Sequence, residues 1–179
     1  WHILINPDGP QETKLVDGPR YAYRGFMLDL AREYIPKQDV IDILNVMSLS
    51  KLNVLHLHVS DDDSFNIELP SFPGIFDYSA LKKNEIYTAQ YIKDIVHHAN
   101  MLGIKIIPEI DVPGHSLCFG LYPGISEYVT CKDKLFRHKM ADGGYIRGGP
   151  PSAAWNPGRK ETYEIITRIV KDIIEMFGD

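Results

Sequence analysis

Acidic, basic and histidine side chains occur together at three places in this sequence, each at the end of a short apolar run. The groups are Asp29 with Arg32, His58 with Asp61, and Glu109 with Asp111 and His115. Carboxylates beside imidazoles can transfer protons, and the planar fork of a guanidinium can bind hydroxyl or carboxylate groups. Brought together on one face, these side chains favour a polar, neutral substrate such as a sugar.

The segment 51–65, KLNVLHLHVSDDDSF, holds the densest of these groups. Its apolar run 52–59 has the length of a strand, so His56 and His58, two residues apart, share a face. His-x-His is a common metal-ligand spacing, but no third nitrogen or sulfur ligand is recognisable. The alternative is that the histidines hydrogen-bond to carboxylates. We therefore expect no metal, no cofactor and a proton network around Asp61.

Two of the candidate residues have two interpretations each from the sequence alone. His115 follows Pro113 and Gly114, whose tight turn either returns the imidazole to the strand end or leaves it capping backbone groups in a loop. Arg32 suits two vicinal hydroxyls or a carboxylate of a substrate, and it equally suits a salt bridge to Asp29.

Apolar strands alternate with amphipathic helices along the chain, which predicts parallel strands with helices on the outside. The predicted strands are 23–30, 52–59 and 104–110, the predicted helices are 37–50, 89–102 and 161–177, and long loops occupy 64–87 and 112–159. The polar groups follow the strands, at the end where a (β/α)8 barrel carries its active site. A complete barrel needs eight strands and about 250 residues. The predicted fold class is therefore α/β, a partial (β/α)8 TIM barrel of about the first three βα units.

The composition describes an ordinary globular segment and excludes several kinds of partner. A net charge of −5 without any Lys/Arg run argues against nucleic acid, and no apolar stretch has the length of a membrane span. Two cysteines make neither a disulfide framework nor a metal site. Residues 1–22, in which WHILIN is a candidate strand, are predicted to be a lead-in or connector from an upstream domain. Residues 23–179 are predicted to be the amino-terminal part of the barrel, ending before its fourth strand.

Three ordered motifs carry a family resemblance: RGFMLD at 24–29 with Arg32, KLNVLHLH at 51–58 with Asp61, and PEIDVPGH at 108–115. From about residue 17 to residue 179 the chain resembles glycoside hydrolase family 20, the β-N-acetylhexosaminidases, which include the lysosomal hexosaminidases. The resemblance implies a TIM-barrel hydrolase that acts on glycans ending in N-acetylhexosamine, in the lysosome or secreted. The resemblance also allows the full-length protein, of which this chain would be one part, to form a homodimer.

The resemblance also implies roles for the candidate residues. Arg32 would bind hydroxyls of the terminal sugar, with His58 and Glu109 as supports at their strand ends. Asp61 and His115 would form a network behind the catalytic acid/base. A further candidate, Asp111, would support the residue that orients the acetamido group of the substrate.

In this family the nucleophile is the acetamido oxygen of the substrate, oriented by an Asp, while an adjacent Glu is the acid/base. That pair belongs to a Gly-Gly-Asp-Glu motif on the fourth strand, and no such motif occurs in these 179 residues. We therefore expect the chain as given to be inactive alone, and poorly soluble or oligomeric because an open half barrel exposes strand edges. The alternatives are a non-catalytic N-acetylhexosamine-binding or regulatory half barrel, and a different (β/α)8 hydrolase, against which PEIDVPGH argues.

Overall fold

The structure is a computed structural model that describes residues 16–80, 82, 84–132 and 153–178, and the backbone of 137–139 and 145–147. The first elements, in chain order, are β1 (Gly25–Asp29), α1 (Lys37–Leu49), β2 (Val54–His58), α2 (Phe76–Ser79), α3 (Ala89–Met101) and β3 (Lys105–Glu109). After them come α4 (Leu117–Gly120), a 3-10 turn (Ser126–Tyr128), β4 (Val129–Thr130), β5 (Arg137–Lys139), β6 (Tyr145–Arg147), β7 (Ala154–Trp155) and α5 (Lys160–Phe177). Each predicted strand and helix is present, and the strands are shorter than the apolar runs that predicted them. The candidate strand WHILIN lies outside the described residues.

Three parallel strands form the central sheet in the order β1-β2-β3. Their register places Asp29 beside His58 and His58 beside Glu109, so one polar row crosses the carboxyl ends of all three strands. Since side chains alternate between the two faces of a strand, these three residues share one face of the sheet. The register therefore brings together side chains that are far apart in the sequence.

The opposite face of the sheet is covered by helices. Leu55 and Leu57 of β2 are fully buried, and they belong to one apolar core with Leu44 of α1 and Ile92 of α3. Burying a leucine side chain contributes about 1.5–3 kcal/mol, so this layer supplies much of the stability. None of the helices in the described part of the chain has the length and apolar character that crossing a bilayer requires.

The face that carries the polar row is partly open. Met27 of β1 and Ile107 of β3 flank His56 in the register, and these two apolar side chains are 53% and 37% exposed. The sheet and the helices on one side of it therefore form two layers. On the other face of the sheet, which carries the polar row, apolar side chains are exposed to solvent.

Both long loops contain more structure than the sequence predicted. Residues 64–87 include α2 and are held by backbone bridges between Ser60 and Phe65 and between Ile67 and Tyr87. Residues 112–159 include α4, the 3-10 turn and two antiparallel strand pairs, β4 with β7 and β5 with β6. Prediction missed these pieces because they are too short to show a hydrophobic period.

A buried carboxylate fastens α5 to the first of these loops. The Oδ2 and Oδ1 atoms of Asp172 accept hydrogen bonds from the backbone N–H and the hydroxyl of Ser71, both at 2.8 Å. One turn earlier, Arg168 donates to the carbonyl of Ser71 and lies 4.5 Å from the centre of the Phe72 ring. The helix and the loop thus share one hydrogen-bonded contact although they are distant in sequence.

Replacing Asp172 with alanine should lower the free energy of unfolding by about 1.5–3 kcal/mol, because hydrogen bonds to a charged acceptor are lost in a buried contact. Urea unfolding followed by circular dichroism measures the change. Glu175→Ala, on the exposed side of the same helix, is the control. Equal stabilities of the two variants would show that the Ser71 contact does not hold α5.

Candidate active site

A buried carboxylate, Asp61, is the centre of the polar row. Its Oδ2 atom accepts hydrogen bonds from Arg32 Nη2 at 2.5 Å, from His115 Nδ1 at 3.0 Å and from His58 Nε2 at 3.1 Å. The three donors come from the segment after β1, from β2 itself and from the segment after β3. One side-chain oxygen therefore joins all three strand ends.

The position of Asp61 follows from the turn that ends β2. The backbone N–H of Asp61 donates to the carbonyl of Ser64 at 3.0 Å, and its Oδ1 accepts from the N–H of Asp62 at 2.7 Å. Burial disfavours the charge of Asp61, but the hydrogen bonds from His58 and His115 and the charge of Arg32 outweigh it and lower its pKa to about 2. Asp61 is therefore ionised at every pH near neutrality.

The imidazole of His58 lies between two carboxylates. Besides Asp61, it contacts Glu109, with 2.9 Å between His58 Nδ1 and Glu109 Oε1. The hydrogen bond to Asp61 and that to Glu109 raise the pKa of His58 to about 9 against the opposing effect of burial. His58 is then a doubly protonated imidazolium that donates from both nitrogens. The second oxygen of Glu109 makes a short contact with the Nε2 atom of His56.

Burial disfavours the charge of Glu109, but the hydrogen bond and charge of His58, with help from His56, hold the pKa of that carboxyl below its usual value. The hydrogen-bonding interpretation of the His-x-His pair is thus the arrangement found here. His56 and His58 are bridged by a carboxylate of the neighbouring strand.

His115 returns to the strand end, which decides between its two interpretations. The turn that carries it is fixed by Ser116, whose hydroxyl donates to the carbonyl of Gly114 at 2.7 Å, and by Asp62, whose Oδ1 accepts from the N–H of Leu117 at 2.9 Å. His115 has a φ of 51°, in the left-handed region that few side chains adopt. Its hydrogen bond to Asp61 raises the pKa of His115 above the ordinary value.

Arg32 makes the salt bridge to Asp29 and also reaches past it to Asp61. Its Nη1 donates to Asp29 Oδ2 and its Nη2 to Asp61 Oδ2, both at 2.5 Å, while Asp63 Oδ2 lies 3.7 Å from Nε. The side chain is still 51% exposed. Since a guanidinium has five N–H donors, Arg32 keeps donors for a ligand while both carboxylates hold it in place.

Asp111 lies at the edge of this cluster. Its backbone N–H donates to the hydroxyl of Ser60 at 2.9 Å, and a carboxylate oxygen lies within 4.8 Å of ligand atoms of His58 and Asp61. The structure thus brings five predicted residues into one hydrogen-bonded network and places the sixth, Asp111, beside it. The five are Arg32, His58, Asp61, Glu109 and His115.

Two groups of side chains among the described residues have spacings that could hold a metal ion. They are His58, Asp61 and Asp111, and Asp61, Asp62 and His115. Both need Asp61, whose Oδ2 atom already bonds the Arg32 guanidinium. A metal ion there would face that positive charge at short range, so the donor set fits a cation poorly.

Sequence reasoning did not single out the support residues of the site. Ser60, Asp62 and Ser64 fix the backbone around Asp61 and the turn after β3. A usable signal for Asp62 was present, because the middle one of three consecutive aspartates at a strand end has to find a donor. Nothing in the spacing pointed to Leu117 as that donor.

Comparison with known proteins defines the class to which this site belongs. The family model described as "Glycosyl hydrolase family 20, catalytic domain" matches residues 21–179. The guanidinium and the carboxylate–imidazole network described above lie within the matched residues. The chain belongs to glycosyl hydrolase family 20.

Curated relatives from animals and plants are β-hexosaminidases. The chain is 31% identical over 169 residues to the human β-hexosaminidase subunit beta, with 94% of this chain and 28% of the relative covered. It is 37% identical over 147 residues to β-hexosaminidase 3 of Arabidopsis thaliana, with 79% of this chain and 26% of the relative covered. This chain therefore spans less than a third of the length of these relatives.

Solved structures of the same family share the fold. A Flavobacterium johnsoniae chitobiase superposes with a TM-score of 0.74 at 29% identity, covering 89% of this chain and 22% of the other. A Vibrio harveyi exo-β-N-acetylglucosaminidase in complex with N-acetylglucosamine gives 0.70 at 28% identity, covering 90% of this chain and 26% of the other.

The raised pKa of His58 and the lowered pKa of Asp61 give stability a defined pH dependence. The His58 contribution should be fully present below about pH 6.5 and be lost as the pH rises through about 9. The Asp61 contribution should be present above about pH 4 and be lost as the pH falls towards 2.

Imidazole NMR titration should find His58 charged at pH 7.5, and thermal unfolding of His58→Gln should lose the alkaline dependence. His97→Gln, at an exposed position of α3, is the control and should keep the alkaline dependence. A His58 imidazole that is neutral at pH 7.5 would contradict the bridged-imidazolium assignment.

Proposed function

We propose that this chain is the amino-terminal part of the (β/α)8 catalytic domain of a β-N-acetylhexosaminidase. The enzyme would remove terminal non-reducing N-acetylhexosamine from glycans by substrate-assisted, retaining hydrolysis. The observation that carries the proposal is the Arg32–Asp61–His115 network at the strand ends of a family 20 chain. From the family resemblance, we place the protein in the lysosome or outside the cell.

Arg32 is the sugar-binding group in this proposal. Its guanidinium is anchored by Asp29 and Asp61 and is half exposed, so it can donate to neighbouring hydroxyls of a sugar without moving. His58 supports that end of the site by bonding the carboxylate of Asp61, and Glu109 in turn holds His58.

The reaction needs a nucleophile, an acid and a base. The acetamido oxygen of the substrate attacks the anomeric carbon, the glycosidic bond breaks, and a Glu protonates the leaving oxygen. Water then attacks the anomeric carbon and opens the cyclic intermediate, while the same Glu takes a proton from the water. Asp111 would support the Asp that orients the acetamido group. That Asp and Glu are outside these 179 residues, because no Gly-Gly-Asp-Glu motif occurs in them.

Asp61 and His115 would act on the acid/base through their charge. Asp61 stays ionised down to about pH 2 while Arg32, His58 and His115 bond to it. The carboxylate of Asp61 would raise the pKa of a Glu placed against this network and a protonated His115 would lower it, so the two together would set the proton affinity of the acid/base.

Apolar surfaces on both flanks support the incomplete-barrel part of the proposal. Beside β1, the exposed side chains of Phe26 and Val46 line a groove of about 430 Å³. At the other end, Tyr163, Val170 and Ile174 form an exposed apolar stripe along α5. Further βα units would cover both surfaces and the open face of the sheet, as in a closed barrel. We propose 23–179 as the barrel segment and 1–22 as its connector.

A non-catalytic N-acetylhexosamine-binding protein is the second candidate. It is favoured by the fact that the Arg32 site is assembled within these residues, whereas the Asp-Glu pair is absent from the sequence. The two candidates differ in whether the reading frame beyond Asp179 encodes a strand that ends in adjacent Asp and Glu.

The 179-residue chain should not hydrolyse 4-methylumbelliferyl N-acetyl-β-glucosaminide, whereas the protein from a reading frame extended through the fourth to eighth strands should. Arg32→Ala should lower kcat/KM of the extended protein about 10- to 100-fold, because hydrogen bonds from a charged donor contribute roughly 1.5–3 kcal/mol. Arg20→Ala, at an exposed position of the connector, is the matched control. If a stop codon follows Asp179 and the 179-residue chain binds the sugar, the function that remains is that of a non-catalytic N-acetylhexosamine-binding protein.

The isolated chain should self-associate through its apolar flanks. Light scattering after size exclusion should show oligomers, and Val46→Lys and Ile174→Lys should shift them towards monomer because both side chains are exposed. Asn100→Lys adds the same charge at an exposed position of α3 and should leave the oligomers unchanged. A monomeric wild-type chain would argue against uncovered flanks.

A further inference from the structure

Two buried tyrosine hydroxyls hold both polar backbone groups of Ile35. The hydroxyl oxygen of Tyr87 accepts a hydrogen bond from the N–H of Ile35 at 2.9 Å. The hydroxyl of Tyr91 donates to the carbonyl of the same residue, also at 2.9 Å. Tyr87 is 1% exposed and Tyr91 is 7% exposed, so water competes little for these bonds.

The two tyrosines are themselves fixed by the start of α3. The N–H of Tyr87 donates to the carbonyl of Asn66 at 2.8 Å, and the N–H of Tyr91 donates to the N-cap hydroxyl of Thr88 at 3.1 Å. Their rings pack edge to face with centroids 5.0 Å apart, and Tyr34 stacks on Tyr87 at the same distance. Burial raises the pKa of both hydroxyls, so they stay protonated at any pH used for an assay.

The segment between β1 and Ile35 is held at its other end by the strand. Asp29 Oδ1 accepts from the N–H groups of Ala31 and Arg32 at 2.9 and 3.0 Å, and the hydroxyl of Ser64 donates to the carbonyl of Ala31 at 2.5 Å. Arg32 therefore lies in a short bridge with both ends anchored.

We infer that Tyr87 and Tyr91 are positioning residues for sugar binding, which act by fixing the 31–35 segment so that the Arg32 guanidinium is already in place when the substrate arrives. This inference rests on the proposed role of Arg32. A preorganised donor loses less conformational freedom on binding than a mobile one, so the hydroxyls add affinity without touching the substrate. Tyr87 and Tyr91 act together, because one bonds the backbone N–H of Ile35 and the other bonds its carbonyl.

The test is a set of tyrosine-to-phenylalanine variants in the full-length enzyme, which keep the rings and remove the hydroxyls. Tyr87→Phe and Tyr91→Phe should each raise KM for 4-methylumbelliferyl N-acetyl-β-glucosaminide about three- to tenfold and change kcat by less than about twofold. Tyr34→Phe is the matched control, because within the described residues the Tyr34 hydroxyl has no hydrogen-bond partner while its ring belongs to the same stack. It should leave KM unchanged.

A double-mutant cycle separates positioning from general stability. In the Arg32→Ala background, Tyr91→Phe should have no further effect on KM, because the donor that it positions is gone. An equal rise in KM with and without Arg32 would overturn the inference and leave the role of Arg32 intact. If Arg32→Ala itself leaves KM unchanged, the proposed sugar-binding role fails, and the inference fails with it.

Amide hydrogen exchange gives a readout that does not depend on activity. The Ile35 amide should be protected in the wild-type protein and exchange at least tenfold faster in Tyr87→Phe, while amides of β2 keep their rates. Unchanged protection of Ile35 would overturn the inference even if Tyr87→Phe lowers the melting temperature.

Discussion

The buried charge of Asp61 is the constraint around which the carboxyl ends of the strands are built. A carboxylate that is 2% exposed has lost its water and must find donors inside the protein. It finds them on three chain segments, from Arg32, His58 and His115. Satisfying this one oxygen therefore also fixes the relative positions of β1, β2 and β3, and the structural requirement and the proposed catalytic network are the same set of contacts.

The network extends outward from Asp61 through alternating carboxylates and imidazoles. His58 links Asp61 to Glu109, and the next imidazole, His56, closes the row on the far side. Arg32 balances Asp61 at the solvent side, where a sugar would bind. Since the pKa of Asp61 is about 2 and that of His58 about 9, these two charges stay constant across the neutral pH range, which suits a scaffold that tunes a separate acid/base.

The elements of the fold could be predicted because their signals are local. The eight-residue apolar run before Asp61 and the three- and four-residue spacing around Val40 and Leu44 require no knowledge of the rest of the chain. Inside the long loops, hydrophobic periodicity did not predict the elements. The short helix around Phe76 and the strand pair that joins Val129 to Trp155 are specified by their packing partners. Neither has a hydrophobic period in the sequence that would predict it.

The sequence by itself determined which residue types end the strands, and parallel strands with two-residue alternation then require Asp29, His58 and Glu109 to share an edge. Only the tertiary structure decided the pairings that cross the loops. These include the return of His115 to Asp61, the contact of Asp172 with Ser71, and the hold of Tyr87 and Tyr91 on Ile35. Their partners are separated by 52 to 101 residues, and such contacts depend on how connecting loops pack, for which the sequence carries no period.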